Sequence, residues 1–189
     1  MIRALIFDCF GVLYQGSLEH LRQLTSPEQQ QELADLSHAS DYGYISRDEY
    51  MQRVGDIVGL SASEAEAIIS TDHVRSTAMV ELVREVRKTH KTALLSNVGR
   101  GIIRQLFTDE ELEELFDVVV LSSEVGVVKP YPAIYELTAE RLGIPASACY
   151  MIDDMPGNIE GARTVGMDGI VFDSVTQLRT TLESIIGVY

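Results

Sequence analysis

The chain has 189 residues, 46% apolar and 23% charged, which suits one globular domain, or one with a modest insertion, and leaves ample material for a hydrophobic core. Fifteen Lys and Arg stand against 29 Asp and Glu, and the resulting net charge of −14 repels nucleic acid and anionic membrane, so neither is an expected partner. No run approaches the ~18 apolar residues of a membrane span, and the N-terminal apolar run stops at Asp8, too early for a signal peptide, so a cytoplasmic protein is expected.

Taken in order, the chain opens on Ala4-Leu5-Ile6-Phe7-Asp8, four apolar residues that run into a carboxylate. So short an unbroken apolar run reads as a strand buried on both faces of a parallel sheet. Its carboxylate would lie on the rim where open α/β sheets bind ligands. Gly11 follows and permits a tight turn or a close approach to a ligand. The plainer alternative is a strand end in which Asp8 only bonds the turn. Cys9 and Cys149 each sit beside a strand core and read as small buried hydrophobes in a reducing compartment. Residues i and i+1 of a strand point to opposite faces, which argues against catalysis by Cys9 alongside Asp8.

From residue 14 to about 88 the pattern is helical. Ser26-Pro27-Glu28-Gln29, Ser46-Arg47-Asp48-Glu49 and Ser61-Ala62-Ser63-Glu64 each set a hydroxyl three residues before an amide or carboxylate, the pattern of a helix start. They open helices reaching about Leu36, ending at Gly59, and running through Ala65, Ile68 and Ile69. A further helix, about Thr77 to Lys88, carries Val80, Val83 and Val86 on one side and leads back to the sheet. With no strand signal among them, these segments read as an all-α insertion.

Alternation of strand and helix then returns. Thr92–Ser96, Asp117–Ser122, Cys149–Asp153 and Gly169–Phe172 read as strands, with helices around Ile102–Leu106, after Thr108, from Pro132 to Leu142, from Asn158 to Val165 and from Val175 to Ile186. Strands separated by helices imply right-handed crossovers. The expected fold class is α/β: a Rossmann-like parallel sheet with helices on both faces plus an all-α cap insertion.

Asp8, Ser96 and Asp153 all fall at the last position of a predicted strand, and in a parallel sheet such positions meet at one rim. Lys129 follows the Val118–Leu121 strand by a loop and can lean over that rim. Clustered carboxylates repel unless a cation lies among them. The oxygens of Asp8, Asp153 and Asp154 suit Mg²⁺, which takes one or two carboxylates, a substrate phosphate and water. Singly, Lys129 also reads as a solvated lysine and Ser96 as a helix cap; it is their joint placement that points to a site.

These four motifs, in this order and spacing, resemble the haloacid dehalogenase-like hydrolase superfamily, in the branch with a helical cap inserted just after the first strand. The resemblance covers nearly the whole chain and implies an α/β core at 1–13 and 89–189 with a cap at 14–88. The segment Ile152-Asp153-Asp154-Met155-Pro156-Gly157-Asn158 and onward to Ala162 is similar to that of small sugar-phosphate phosphatases, including α-glucose-1-phosphate phosphatases. The resemblance implies that Asp8 attacks phosphorus and forms an aspartyl-phosphate, and that Mg²⁺ is held by Asp8, Asp153 and the backbone carbonyl of Phe10, with Asp154 in support. It further implies that Ser96 and the amide of Asn97 bind the phosphoryl oxygens of a small phosphorylated metabolite while Lys129 balances their charge.

One position departs from that pattern. Phosphatases of the superfamily usually carry a second aspartate two residues after the nucleophile, to protonate the leaving group and later activate water. Here it is Phe10. General acid–base help is typically worth about 10²–10⁴-fold. Three readings follow: a slow phosphatase that uses good leaving groups or a cap residue as its acid; a phosphate-binding or regulatory protein without turnover; or a 2-haloacid dehalogenase, a branch with an aromatic residue at this place. Ser96-Asn97 and Lys129-Pro130 with Tyr135 downstream favour the last, and Asp153-Asp154 oppose it, because a metal-free enzyme would bury both charges. The phosphatase ranks first. Candidate cap residues for choosing the substrate are Tyr14, Gln15, His20, Tyr42, Tyr44 and His73, with Tyr42-Gly43-Tyr44 suited to a lid loop. Hinges would lie near Leu13–Gly16 and Thr89–Lys91.

Overall fold

The structure, a computed structural model, describes residues 1–16 and 19–187. Strand β1 (Ala4–Phe7) leads to a two-residue strand β2 (Tyr14–Gln15) and then to helices α1 (Glu19–Gln23), α2 (Pro27–Asp41), α3 (Arg47–Val58) and α4 (Ala62–Asp72). Strand β3 (Val74–Arg75) and helix α5 (Thr77–Arg87) bring the chain back to the sheet. There follow β4 (Lys91–Ser96), α6 (Ile103–Leu106), α7 (Asp109–Leu115), β5 (Val118–Leu121), α8 (Ser122–Val125) and α9 (Pro132–Leu142). The last elements are β6 (Cys149–Asp153), α10 (Pro156–Thr164), β7 (Asp168–Val171) and α11 (Val175–Ile186).

Five strands form one parallel sheet in the order β5-β4-β1-β6-β7. The chain builds β4 and β5 on one side of β1 and then returns to build β6 and β7 on the other. The change of direction therefore falls at β1, and that is where open α/β sheets leave a crevice beyond the strand ends. Successive residues of each strand face opposite sides, and both sides are apolar. Leu5, Phe7, Leu94 and Ile152 pack with α5, α7 and α11, whereas Ala4, Ile6, Ala93 and Met151 pack with α9 and α10. This is the α/β sheet covered on both faces that the alternating pattern predicts.

The helices α1 to α4 bury an apolar core of their own, which includes Leu21, Leu33, Leu36, Tyr50, Met51, Val54, Ala65 and Ile69. Ser26, Ser46 and Ser61 each accept the backbone N–H three residues on, so the three helices begin where the hydroxyl pattern places them. Gly59 ends α3 in the left-handed conformation with φ 73°. Helix α2 runs past Leu36 to Asp41, with the buried Ser40 closing on Gly99 without adding to the apolar stripe. The insertion is entered and left through the antiparallel ribbon β2–β3, which pairs Tyr14 with Arg75 and Gln15 with Val74. Two residues per strand are too few for alternation to show in the sequence. Helix α5 buries Met79, Val80, Leu82, Val83 and Val86 in the sheet's core, not in that of the bundle. No helix among the described residues is long and apolar enough to cross a membrane.

Candidate active site

Register builds the site. Phe7 pairs with Leu94 on one side and Ile152 on the other. The N–H of Asp8 donates to the Ile152 carbonyl at 3.0 Å, so Asp8, one step past β1, lies beside Asp153 at the end of β6. Ser96 ends β4 on the opposite flank. Lys129 enters from the loop before α9, and the Asn97 side chain clamps its backbone. Lys129 N–H donates to Asn97 Oδ1 at 2.7 Å, and Asn97 Nδ2 donates to the Lys129 carbonyl at 2.9 Å.

The clamp delivers the Lys129 ammonium between two acids, 2.8 Å from Asp8 Oδ1 and 2.7 Å from Asp153 Oδ2. Lys129 is only 4% exposed and Asp153 0%. The other oxygen of Asp153 accepts the Met155 N–H and Asn158 Nδ2, both at 2.9 Å. Asp8 Oδ1 also accepts the Cys9 N–H at 2.7 Å, so the turn bond expected of a capped strand end exists alongside the ion pair. Asp154 completes the group: Asp8, Asp153 and Asp154 each offer an oxygen within 4.8 Å of the others. Gly11, at φ +84°, makes room for it, since a Cβ there would lie 2.3 Å from Asp154 Cγ.

Three carboxylates, Asp8 and Asp153 buried and Asp154 exposed beside them, stand against one buried ammonium. Burial pushes the Asp8 carboxyl up to about 7, against the pull of Lys129 and with Asp153 adding to the rise. Burial pulls the Lys129 ammonium down, but Asp8 and Asp153 more than offset it and the net shift is upward. Asp154 is also raised, first by burial and then by Asp153. Cys9 is driven well above the ordinary thiol range by burial and by Asp8, which keeps it an un-ionised thiol and a poor nucleophile.

The hydroxyl of Ser96 is fully buried and has no hydrogen-bond partner among the described residues. It caps no helix, and Lys129 is no solvated surface lysine, so neither of those simpler readings describes the structure. An orphaned buried hydroxyl costs free energy unless something bonds it, which suits a site that receives an anion's oxygens.

Above the rim, between it and the helical bundle, lies a cavity of about 220 Å³ whose walls include Phe10, Asp41, Arg47, Tyr50, His73 and Asn97. The Phe10 ring sits 5.1 Å from that of His73, tilted by 43°. Of the six cap residues singled out from the sequence, His73 alone lines this cavity. Tyr14 donates to the Leu106 carbonyl at 2.6 Å as a packing residue, Gln15 is exposed in the ribbon, and His20 pairs with Asp72. Tyr42 and Tyr44 stack with ring centres 5.1 Å apart, and Tyr44 is 74% exposed. Tyr135 lies beneath the site and donates to the Asn158 carbonyl at 2.7 Å. Two further residues belong to the site. Asn158 reads in the sequence only as a helix start, yet its place one turn beyond Asp153 turns its amide back onto that carboxylate. Asp41 directly precedes the Tyr42-Gly43-Tyr44 turn but is brought to the cavity by the docking of α2.

The sequence profile of haloacid dehalogenase-like hydrolases matches residues 2–166. A phosphatase of Mycobacterium tuberculosis is 38% identical over 94 residues, 49% of this chain and 43% of that protein. The fructose-1-phosphate phosphatase of Escherichia coli is 28% identical over 113 residues, 59% of this chain and 60% of that protein. In both cases the matched part is less than two thirds of the relative's own length. Among solved structures, a haloacid dehalogenase family enzyme from Bacteroides thetaiotaomicron, in complex with magnesium and inorganic phosphate, superposes with a TM-score of 0.80. It is 21% identical, and the match covers 94% of this chain and 99% of that one, a likeness of fold.

Proposed function

The chain belongs to the haloacid dehalogenase-like hydrolase family, and from that premise we propose that it is a Mg²⁺-dependent phosphohydrolase acting on a small phosphorylated metabolite through an aspartyl-phosphate on Asp8. One observation carries the proposal: Asp8, Asp153 and Asp154 bring their oxygens within 4.8 Å of one another around a single buried ammonium. Three carboxylates against one ammonium leave an acidic excess that a divalent cation offsets. The three carboxylates are the hard oxygen donors that Mg²⁺ takes. Asp8, Asp153, Asp154 and the Phe10 carbonyl would hold the ion, which would supply Lewis-acid polarisation of a phosphoryl oxygen.

The chain's own groups have distinct parts in this reading. Asp8 attacks phosphorus in line, turning one hard displacement into two easier ones. The Ser96 hydroxyl and the backbone N–H of Asn97 bond the phosphoryl oxygens, and the Lys129 ammonium balances their charge. Asn97's side chain, committed to the Lys129 backbone, and Asn158, committed to Asp153, act as positioning groups. The segment 14–88, which includes residues 17 and 18 outside the described range, serves as the cap, hinged near Leu13–Gly16 and Thr89–Lys91. Its moving part is the bundle α1–α4, since α5 is packed on the sheet. A cytoplasmic setting belongs to the same proposal and is supported by two free, buried thiols, Cys9 and Cys149.

Asp154 is exposed, contrary to the expectation that both acids of the pair are buried, so a metal-free dehalogenase would have to keep Asp8 and Asp153 buried on the single Lys129 ammonium with Asp154 beside them. The test is a side-by-side assay: phosphate release from a panel of sugar and acyl phosphates, with and without Mg²⁺, beside halide release from a 2-haloacid. Metal-dependent phosphate release that vanishes in Asp8→Asn is the expected outcome. Halide release without metal would replace the phosphatase by the dehalogenase, and silence on every substrate would leave a phosphate-binding protein.

A further inference from the structure

The phosphohydrolase reading leaves one need unmet: a group to protonate the departing oxygen, which Phe10 cannot do. Among the described residues that line the cavity above the rim, one carboxylate and one imidazole are present, Asp41 and His73. Asp41 ends α2 at the point where the bundle is fastened to the core. Its carbonyl accepts the Ser122 hydroxyl at 2.6 Å, and the same hydroxyl oxygen accepts the Val98 N–H at 2.9 Å. Its two flanks are equally tight: a Cβ at Gly99 would lie 2.2 Å from Ser40 Oγ, and one at Gly43 would lie 2.4 Å from the Ser123 carbonyl oxygen. The Asp41 backbone is thereby held at the segment that follows β4 and at α8, which leads on to Lys129. The Lys129 ammonium, which pairs with Asp8, acts on it through space.

We propose that Asp41 is the general acid and base of this enzyme, working from the cap in place of the residue that Phe10 displaces. The inference rests on the phosphohydrolase reading. In the first step Asp8 forms its bond to phosphorus as the phosphorus–oxygen bond of the ester breaks. The electron pair of that bond goes to the departing oxygen, which takes the Asp41 proton and leaves as an alcohol. In the second step the Asp41 carboxylate takes a proton from water while the water oxygen bonds phosphorus, and the bond to Asp8 breaks with its electron pair returning to Asp8. Inorganic phosphate leaves and Asp41 is again protonated.

The charge environment supports this assignment. Burial pushes the Asp41 carboxyl up to about 6, against the pull of His38 on its own helix and of Lys129 from the core. Arg22 from α1, Arg47 and Tyr50 from α3, and His73 just past α4 face the same cavity. Burial lowers the His73 imidazolium, with Asp72 opposing, so His73 holds its proton less firmly than a free imidazole. Asp41, shifted the other way, holds a proton closer to neutrality than an ordinary carboxyl does.

The test compares leaving groups. Asp41→Asn is assayed on p-nitrophenyl phosphate, whose phenolate departs without a proton, and on the best alkyl ester in a panel of sugar phosphates. The expected result is a fall in kcat/KM, which reports the steps up to transfer onto Asp8, of roughly 10²–10⁴-fold on the alkyl ester and little change in kcat/KM on the aryl ester. The kcat falls on both, because the second step is common to them, and a stoichiometric burst of p-nitrophenolate reports a folded site. Wild-type enzyme supplies a check that needs no variant: across a series of aryl phosphates, the dependence of kcat/KM on leaving-group acidity is expected to be shallow at pH 5.5 and steeper at pH 8.5. Equal losses of kcat/KM on both esters, no loss of kcat/KM on the alkyl ester, or a slope unchanged with pH would overturn the role of Asp41. Absence of phosphate release by wild-type enzyme from either ester would instead overturn the phosphohydrolase reading, and this inference with it.

Discussion

Lys129 is enclosed between Asp8 and Asp153 with its ammonium 2.8 Å and 2.7 Å from one oxygen of each. Lys129→Met would leave the two carboxylates facing one another without a cation, and removing one partner of a buried ion pair costs about 3–5 kcal/mol. We expect a loss of that size in urea unfolding at pH 8, together with loss of phosphate release. The Asp8 carboxyl, held up near 7 against an ordinary 3.8, sets the pH dependence. Between those values the folded protein keeps a proton that the unfolded chain has released, so the folded state is favoured at low pH and that advantage is lost as the pH rises toward 7. Mg²⁺ competes with the same proton, so the rise in Tm on adding Mg²⁺ is expected to be larger at pH 8 than at pH 5 in a thermal melt. Asp8, Ser96, Lys129 and Asp153 were legible because each ends a strand or follows one closely, and a parallel sheet turns that local fact into proximity. Asp41 was not, because only the docking of α2 on the Ser122 loop brings it to the cavity.

At the scale of elements, the helix starts at Ser26, Ser46 and Ser61 were legible because each hydroxyl meets a backbone N–H three residues on, a local bond that needs no tertiary partner. The β2–β3 ribbon was not, since four residues of pairing carry no periodic signal. The same holds for the contact that seats the bundle. Gly43 has φ +75° and presses on the Ser123 carbonyl, which no side chain could do without moving the bundle. Gly43→Ala is expected to lift the end of α2 from the core loops, lowering kcat and raising KM together by roughly tenfold, of the order seen when a catalytic group is misplaced by a fraction of an ångström. Steady-state kinetics reads this directly, and unchanged constants would show that the seat does not matter to turnover.

For the molecule as a whole, two apolar layers brace the sheet and a third core belongs to the bundle, so the rim lies between two separately packed bodies of side chains. Net charge is a property of the same scale. At −14 the surface field opposes an approaching phosphorylated substrate, and Lys129, a bound cation and the cavity-lining Arg22 and Arg47 oppose that field locally. Salt screens the long-range repulsion more than the buried contacts, so kcat/KM is expected to rise with ionic strength between 20 and 200 mM NaCl at fixed Mg²⁺. The central claim is that a phosphoryl group passes onto Asp8 within this charged cluster. Acid quench during turnover, followed by mass spectrometry of the peptide containing Asp8, tests it most directly. The expected result is a phosphoryl adduct on Asp8 that appears with Mg²⁺ and is absent with EDTA. Phosphate release at the wild-type rate by Asp8→Ala, with no adduct on that peptide in the wild-type enzyme, would contradict it.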